Sequence, residues 1–298
     1  MTADTKELYR FAIHHGHLAA VSLFRPLPKM PANRRARREI IHNSPPGSTN
    51  PYRLEIICPW ELDADDESVL MALLAIMAPA DRRKTVRGGS KIRSILKEEG
   101  VRMDDDILAA VATRHEILTL LGWGTNGRSY DRLNECFRRL ENTNIHYLNP
   151  EGSQFSRLIA IHRKLLGPGE RDSNITILLN RLSAAVIAGN TNAGMAVQWI
   201  AERRSLNSQI SQILYSRFVL LLREGQERTI RVTVLAQSVF ALSDDQTATP
   251  DQWRALTASL KSFAPAGWKV SLVGRGDSAK ATVFRPKSPK SLLPPSVR

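Results

Sequence analysis

Residues 113–162 constrain the fold more than any other stretch of the chain. Thr113-Arg114-His115-Glu116 has the spacing of a capping box, with a Thr oxygen for the N3 amide and a Glu that can reach back. Ile117, Leu118, Leu120 and Leu121 then give a short helix its apolar surface. Gly122-Trp123-Gly124-Thr125-Asn126-Gly127 follows, and its three glycines permit the positive φ of a tight turn. From Arg128 the apolar residues Tyr130, Leu133, Phe137 and Leu140 recur at i, i+3, i+7 and i+10, one buried stripe of an amphipathic helix. A hairpin comes next, with one strand at 144–148, a turn at 149–153 and a return at 155–162. Helix, short turn, amphipathic helix and hairpin in that order predict a winged helix. Its second helix enters a DNA major groove N-terminus first, and its hairpin lies along phosphates. Arg128, Ser129, Arg132 and Arg139 fall away from the stripe and are the candidate contacts of that helix. An arginine fork can bond guanine O6 and N7 together. Arg157 and Lys164, beside Arg163, are candidate phosphate contacts of the wing.

The same order of elements recurs downstream with little residue identity. An extended run at 52–58 and an apolar helix at 67–78 precede the first unit. An extended run at 174–179 and an apolar helix at about 205–223 precede the second. Residues 233–240 read as the short helix. Thr249-Pro250-Asp251-Gln252 combines a Thr cap, Pro at N1, an acid in the first turn and Gln at N3, a strong helix start. Trp253, Leu256, Leu260 and Phe263 repeat the buried stripe, leaving Arg254 and Lys261 on the other face. Residues 268–273 and 280–284 alternate as a half-buried hairpin should, with Arg275 and Lys280 near its tip. The expected fold is therefore α+β, two tandem winged-helix domains at 52–166 and 174–285. The Gly-Pro-rich stretch 167–173 is the linker. Residues 1–51 form an N-terminal segment with a basic arm at Arg34, Arg35, Arg37 and Arg38, and 286–298 form a disordered tail.

Composition points to the class of partner. Lys and Arg number 42 against 29 Asp and Glu, a net charge of +13 in 298 residues. Such an excess costs self-repulsion in a compact chain and fits a polyanion, double-stranded DNA first among them. No apolar run approaches the roughly 20 residues that span a bilayer, and the N-terminus lacks a signal-peptide pattern, so a cytoplasmic protein without a membrane partner is expected. Cys58 and Cys136 lie in no CxxC, which gives no disulfide framework and no metal site, and no cofactor motif is present.

Enzyme patterns fall short, so no catalytic residue is assigned. Residues 122–129 miss the P-loop GxxxxGK[ST] because Arg128 stands at the lysine position and a helix, not a strand, precedes the glycines. His15-Gly16-His17 is a faint match to the metal histidines of rolling-circle endonucleases and reads instead as a solvated histidine cluster. Asp63, Asp65, Asp66 and residues 104–106 read as charges at helix N-termini.

Several residues carry a resemblance to a known family. Leu23-Phe24-Arg25-Pro26-Leu27, the run 133–140 leading into the first wing, Ala266-Gly267-Trp268-Lys269-Val270 and Phe284-Arg285-Pro286 together resemble RepC, the iteron-binding replication initiators of IncQ-type plasmids. The resemblance implies binding to directly repeated iterons at a plasmid origin, melting of a nearby AT-rich stretch, and recruitment of a RepA-type helicase and a RepB-type primase. The weakly basic helix 250–263 departs from that pattern. A winged-helix transcriptional repressor is the alternative on the same residues.

Overall fold

The computed structural model describes residues 11–27, 35–44, 46, 48–49, 51–86, 107–150, 152–163, 174–188, 195–243 and 245–287. Lys164, Arg34, the 167–173 linker, residues 104–106 and the tail beyond 287 lie outside them.

Both winged helices are present. The first begins with α3 (Arg114–Leu121), whose cap is Thr113, accepting from the Glu116 amide at 2.9 Å. Glu116 does not complete the box as expected; its carboxylate takes a hydrogen bond from Arg82 at 2.9 Å. Gly122 ends the helix at φ +69°, a left-handed backbone that favours glycine, and the Arg204 guanidinium packs against its Cα. Asn126 caps α4 (Gly127–Glu141), which buries Leu133, Cys136, Phe137 and Leu140. Strands β6 (Asn144–Asn149) and β7 (Gly152–Arg157) form the wing.

The second unit has α8 (Val232–Phe240) and α9 (Pro250–Lys261), the latter with the full Thr249–Gln252 capping box. Its wing is a three-stranded sheet, β11 (Glu227–Arg231), β13 (Lys280–Phe284) and β12 (Lys269–Val273), with β13 in the middle. Leu256, Leu260 and Phe263 are fully buried. Phe263, Phe218, Tyr215 and Trp268 pack ring on ring at centroid separations of 5.3–6.2 Å. Thus Trp268, one of the residues that carry the resemblance, is a core anchor.

The two cores do not divide at 167–173. The hairpin return breaks at Leu158, and β8 (Ile159–Arg163) leaves the wing for a second sheet. That sheet runs β4 (Arg83–Val86), β5 (Ile107–Thr113), β9 (Asn174–Leu179), β8. Ile175, Ile177 and Leu179 of β9, with Ala184, Val186 and Ile187 of α5 (Arg181–Ala188), therefore join the core of the first unit. By contrast β3 (Arg53–Cys58) pairs with the wing strand β6 and with β2 (Arg38–Asn43). The two extended runs that look equivalent in sequence have different partners. Alternation shows that a strand has a buried face but not which strand it pairs with.

Residues 11–27 and 35–44 of the N-terminal segment are built into the fold. β1 (Phe11–His15) pairs antiparallel with β10 (Met195–Trp199) and is buried along its whole length. His14 and His15 are thus core residues, not a solvated cluster, and Gly16 opens α1 (Gly16–Ala20), which takes His15 and His17 off any common strand face. Helix α2 (Ala64–Met77) runs through the middle with twelve of its residues buried. Arg203 of α6 (Ile200–Arg204) clamps it to the second unit. Its guanidinium donates to Glu67 at 2.9 Å and to the Ala64 carbonyl on α2, and to Ser216 at 3.0 Å on α7 (Gln209–Leu221).

Candidate nucleic-acid interface

Helix α4 sets the geometry of the first candidate surface. Its apolar stripe faces α2 and α3, and α2 also covers one flank, because its N-terminal acids meet the arginines there. Arg128, in the first turn, is exposed and forms no ion pair with another described residue. Ser129 is partly spent on the turn: its amide and hydroxyl both donate to the Asn126 side chain, at 3.0 and 3.2 Å. Arg132 is exposed but held, donating two hydrogen bonds to Asp65, one of them from Nε at 2.7 Å. Its guanidinium also lies over Trp123, 3.8 Å from the ring centroid.

Arg139 is not a DNA contact. Its side chain is 6% exposed and donates to Asp66 at 2.9 Å and 3.0 Å, while Arg35 reaches Asp63 at 2.6 Å and Asp66 at 3.5 Å. Arg35 of the basic arm is therefore held in the interior, and Arg38 sits in β2, donating to the Leu23 carbonyl. Burial, and then the Asp63 charge, raise the Asp66 carboxyl to about 7 against the pull of Arg139. Asp63 is also pushed up by burial, but Arg35 and the Asp66 amide pull harder and leave it below the usual range. Arg138, not among the expected contacts, lies over Trp60 at 4.4 Å and pairs with Glu135 at 2.7 Å.

On the first wing Arg157 is half-buried at the end of β7, opposite Asn144. Nearby Phe155 is 49% exposed and opposes His146, whose ring nitrogen is 3.2 Å from Glu55.

In the second unit the free cations sit on the wing more than on α9. Arg254 is exposed but pairs with Asp251 one turn away, and Lys261 is exposed in the last turn of α9. Arg275 stands between Gly274 and Gly276, both at positive φ, so the tip presents a cation beside Val273, 69% exposed. Lys280 faces solvent in one row with Arg231 and Val273, and Lys269 lies in a second row over Phe284 at 5.8 Å. Sequence reading missed Arg231 and Lys269. Their alternation with Ile230 and Val270 was the available signal, but β11 was not recognised as a strand of this wing.

No protein-family model matches the chain, and neither does any curated protein. Solved structures do match. Domains 2 and 3 of RctB, as selenomethionine derivatives, align with a TM-score of 0.55 at 12% identity, over 92% of this chain and 99% of that one. A second structure of RctB domains 2–3 aligns at 0.51 and 12%, over 92% and 97%. The Pi initiator protein in complex with iteron DNA aligns at 0.53 and 13%, over 93% and 96%. This chain shares their fold. The match spans both winged helices and the strands woven between them, so the tandem arrangement itself is common to all three.

Among the described residues no group of His, Cys, Asp and Glu is arranged to hold a metal ion, and no helix is long and apolar enough to cross a membrane. The surfaces above offer hydrogen-bond donors and positive charge.

Proposed function

We propose that the protein is a replication initiator that binds directly repeated iterons in double-stranded origin DNA without catalysing a reaction. One observation carries this reading: a single basic chain holds two winged helices in the arrangement seen in the Pi initiator protein, which was solved on iteron DNA. Exposed Arg128 and the held Arg132 of α4 then read one major-groove face. Lys261 and Arg254 of α9 meet the next face, and Arg275, Lys280, Arg231 and Lys269 line phosphates from the second wing. In the finer reading the origin is that of an IncQ-type plasmid and the protein acts as its RepC. It melts an adjacent AT-rich stretch and brings in a RepA-type helicase and a RepB-type primase in the cytoplasm; the sequence resemblance supports that step.

The decisive experiment is footprinting with a measured stoichiometry. One chain should cover an asymmetric site of about 20 base pairs, two major-groove faces one helical turn apart. Two chains on one palindrome would replace the initiator reading with that of a repressor. Affinity should also fall steeply with salt, by about 0.9 in log K per log salt for each phosphate neutralised, and at least roughly six phosphates should be counted. A flat salt response in a fluorescence anisotropy titration would remove nucleic acid as the partner.

A further inference from the structure

We infer that Asp65 is a positioning residue for base recognition: it holds Arg132 edge-on so that the arginine presents its remaining donors to one guanine. The inference rests on the DNA-reading role proposed for α4. It begins with the five N–H donors of a guanidinium, which lie in one plane along two usable edges. Asp65, in the first turn of α2, takes the side edge, bonding Nε at 2.7 Å and Nη2. That leaves the end edge, one Nη1 hydrogen and the second Nη2 hydrogen, which is the edge able to bond guanine O6 and N7 as a pair.

A bidentate carboxylate fixes rotation within the plane of the guanidinium. The plane itself is fixed by Trp123, whose ring centroid lies 3.8 Å from Arg132 Cζ. Trp123 follows the left-handed Gly122, its amide donating to the Leu118 carbonyl at 3.0 Å, and Asp65 belongs to the helix that Asp63 caps, accepting from the Asp65 amide at 2.9 Å. Both supports are thus backbone-anchored on separate elements. A free arginine on a helix surface loses several rotors on binding, and one held on two axes has lost them already. The Arg132 and Asp65 side chains are 45% and 24% exposed, so the pair contributes little to stability by itself. Its consequence is geometric.

The test uses the full chain and a duplex site selected from random sequence, in which each guanine is replaced in turn by 7-deazaguanine to delete the N7 acceptor. The unaltered protein should lose about tenfold in affinity at one guanine in the half-site met by α4. Arg132→Ala should bind weakly and show no such sensitivity. Asp65→Ala should keep its affinity for random duplex, or gain slightly, while the loss at that guanine shrinks below about threefold. Asp65→Asn, which keeps the side-chain volume and one acceptor, should fall between, and it carries the test if Asp65→Ala is poorly folded. If Asp65 merely competes with DNA, Asp65→Ala strengthens binding to all sequences and keeps the full tenfold sensitivity, and the inference is overturned. If it is merely structural, melting temperature and both affinities fall together with the sensitivity retained, which also overturns it. Uniform binding by the unaltered protein, with no guanine sensitive, would instead remove the base-reading role of α4.

Discussion

Arg139→Ala should destabilise the protein by about 3–5 kcal/mol at pH 8, the loss typical when one partner of a buried ion pair is deleted. Arg139 and Asp66 are 6% and 0% exposed, and Asp66 also accepts from the Asp63 amide at 2.9 Å and faces Arg35 at 3.5 Å. Removing the Arg139 guanidinium leaves a carboxylate in a nearly dry site next to a second carboxylate, with one arginine in place of two. The deficit should therefore shrink as pH falls, since Asp66 is already pushed above the usual carboxylate range by burial and Asp63 and will take up a proton. Urea denaturation at pH 8 and pH 5.5 measures both effects through the midpoint, with the slope unchanged. Were Arg139 a DNA contact instead, the variant would lose less than about 1 kcal/mol of stability, the range of surface substitutions, and a large part of its DNA affinity.

This residue shows where sequence reading stops. In α4 the positions of Leu133, Phe137 and Leu140 fix the buried stripe, and Arg139 lies off it. Periodicity assigns residues to one face of their own helix and assumes that the rest meets water. Here the N-terminus of α2, 73 positions away, covers the flank, and its acids neutralise what it covers. Asp65 and Asp66 were visible as helix N-terminal charges, but their partners were not, because an ion pair between distant segments leaves no local pattern. The same limit hid the fate of β9 and of Arg35. Local chemistry was legible: the Thr249–Gln252 box, the Gly122 turn, both amphipathic helices and the β12–β13 hairpin stand at or within a few residues of where the sequence places them, whereas the first wing's return ends at Arg157 and its continuation joins another sheet. These features depend on residues less than one element apart.

Of the candidate contacts, the structure separates those with spare donors from those already engaged. Arg128, Lys261, Arg275 and Lys280 are exposed and make no ion pair with described residues. Arg132 and Arg254 are exposed but paired, Ser129 donates to the Asn126 cap, and Arg139 is interior. Single-sequence reading weights every arginine off the stripe equally, because exposure and partner are properties of the assembled fold.

Stability should fall by about 3 kcal/mol between pH 6.5 and pH 4 through His14 alone. His14 lies in β1, which is paired with β10 and packed by α2 and α5, and it is 3% exposed. Burial first, then the neighbouring His15 and Arg217, lower it from 6.5 to about 3. All three causes oppose the imidazolium, since a charge there would be both desolvated and placed among cations. In the unfolded chain the ring titrates near 6.5. Between about 3 and 6.5 the unfolded state therefore binds more protons than the native one, and the sign follows: native stability is full above 6.5 and is lost as pH falls, by about 1.4 kcal/mol per unit. Carboxylates elsewhere also titrate in that window, so the comparison is with His14→Gln, which keeps a polar group but carries no titratable proton. Urea midpoints of both proteins at pH 7.5, 6, 5 and 4 isolate the histidine. The variant should start less stable at pH 7.5, because β1 is tightly packed, yet decline more slowly, the gap narrowing by about 3 kcal/mol at pH 4. Parallel declines would mean that His14 titrates in the folded protein as it does in water, which requires solvent to reach the β1–β10 pair.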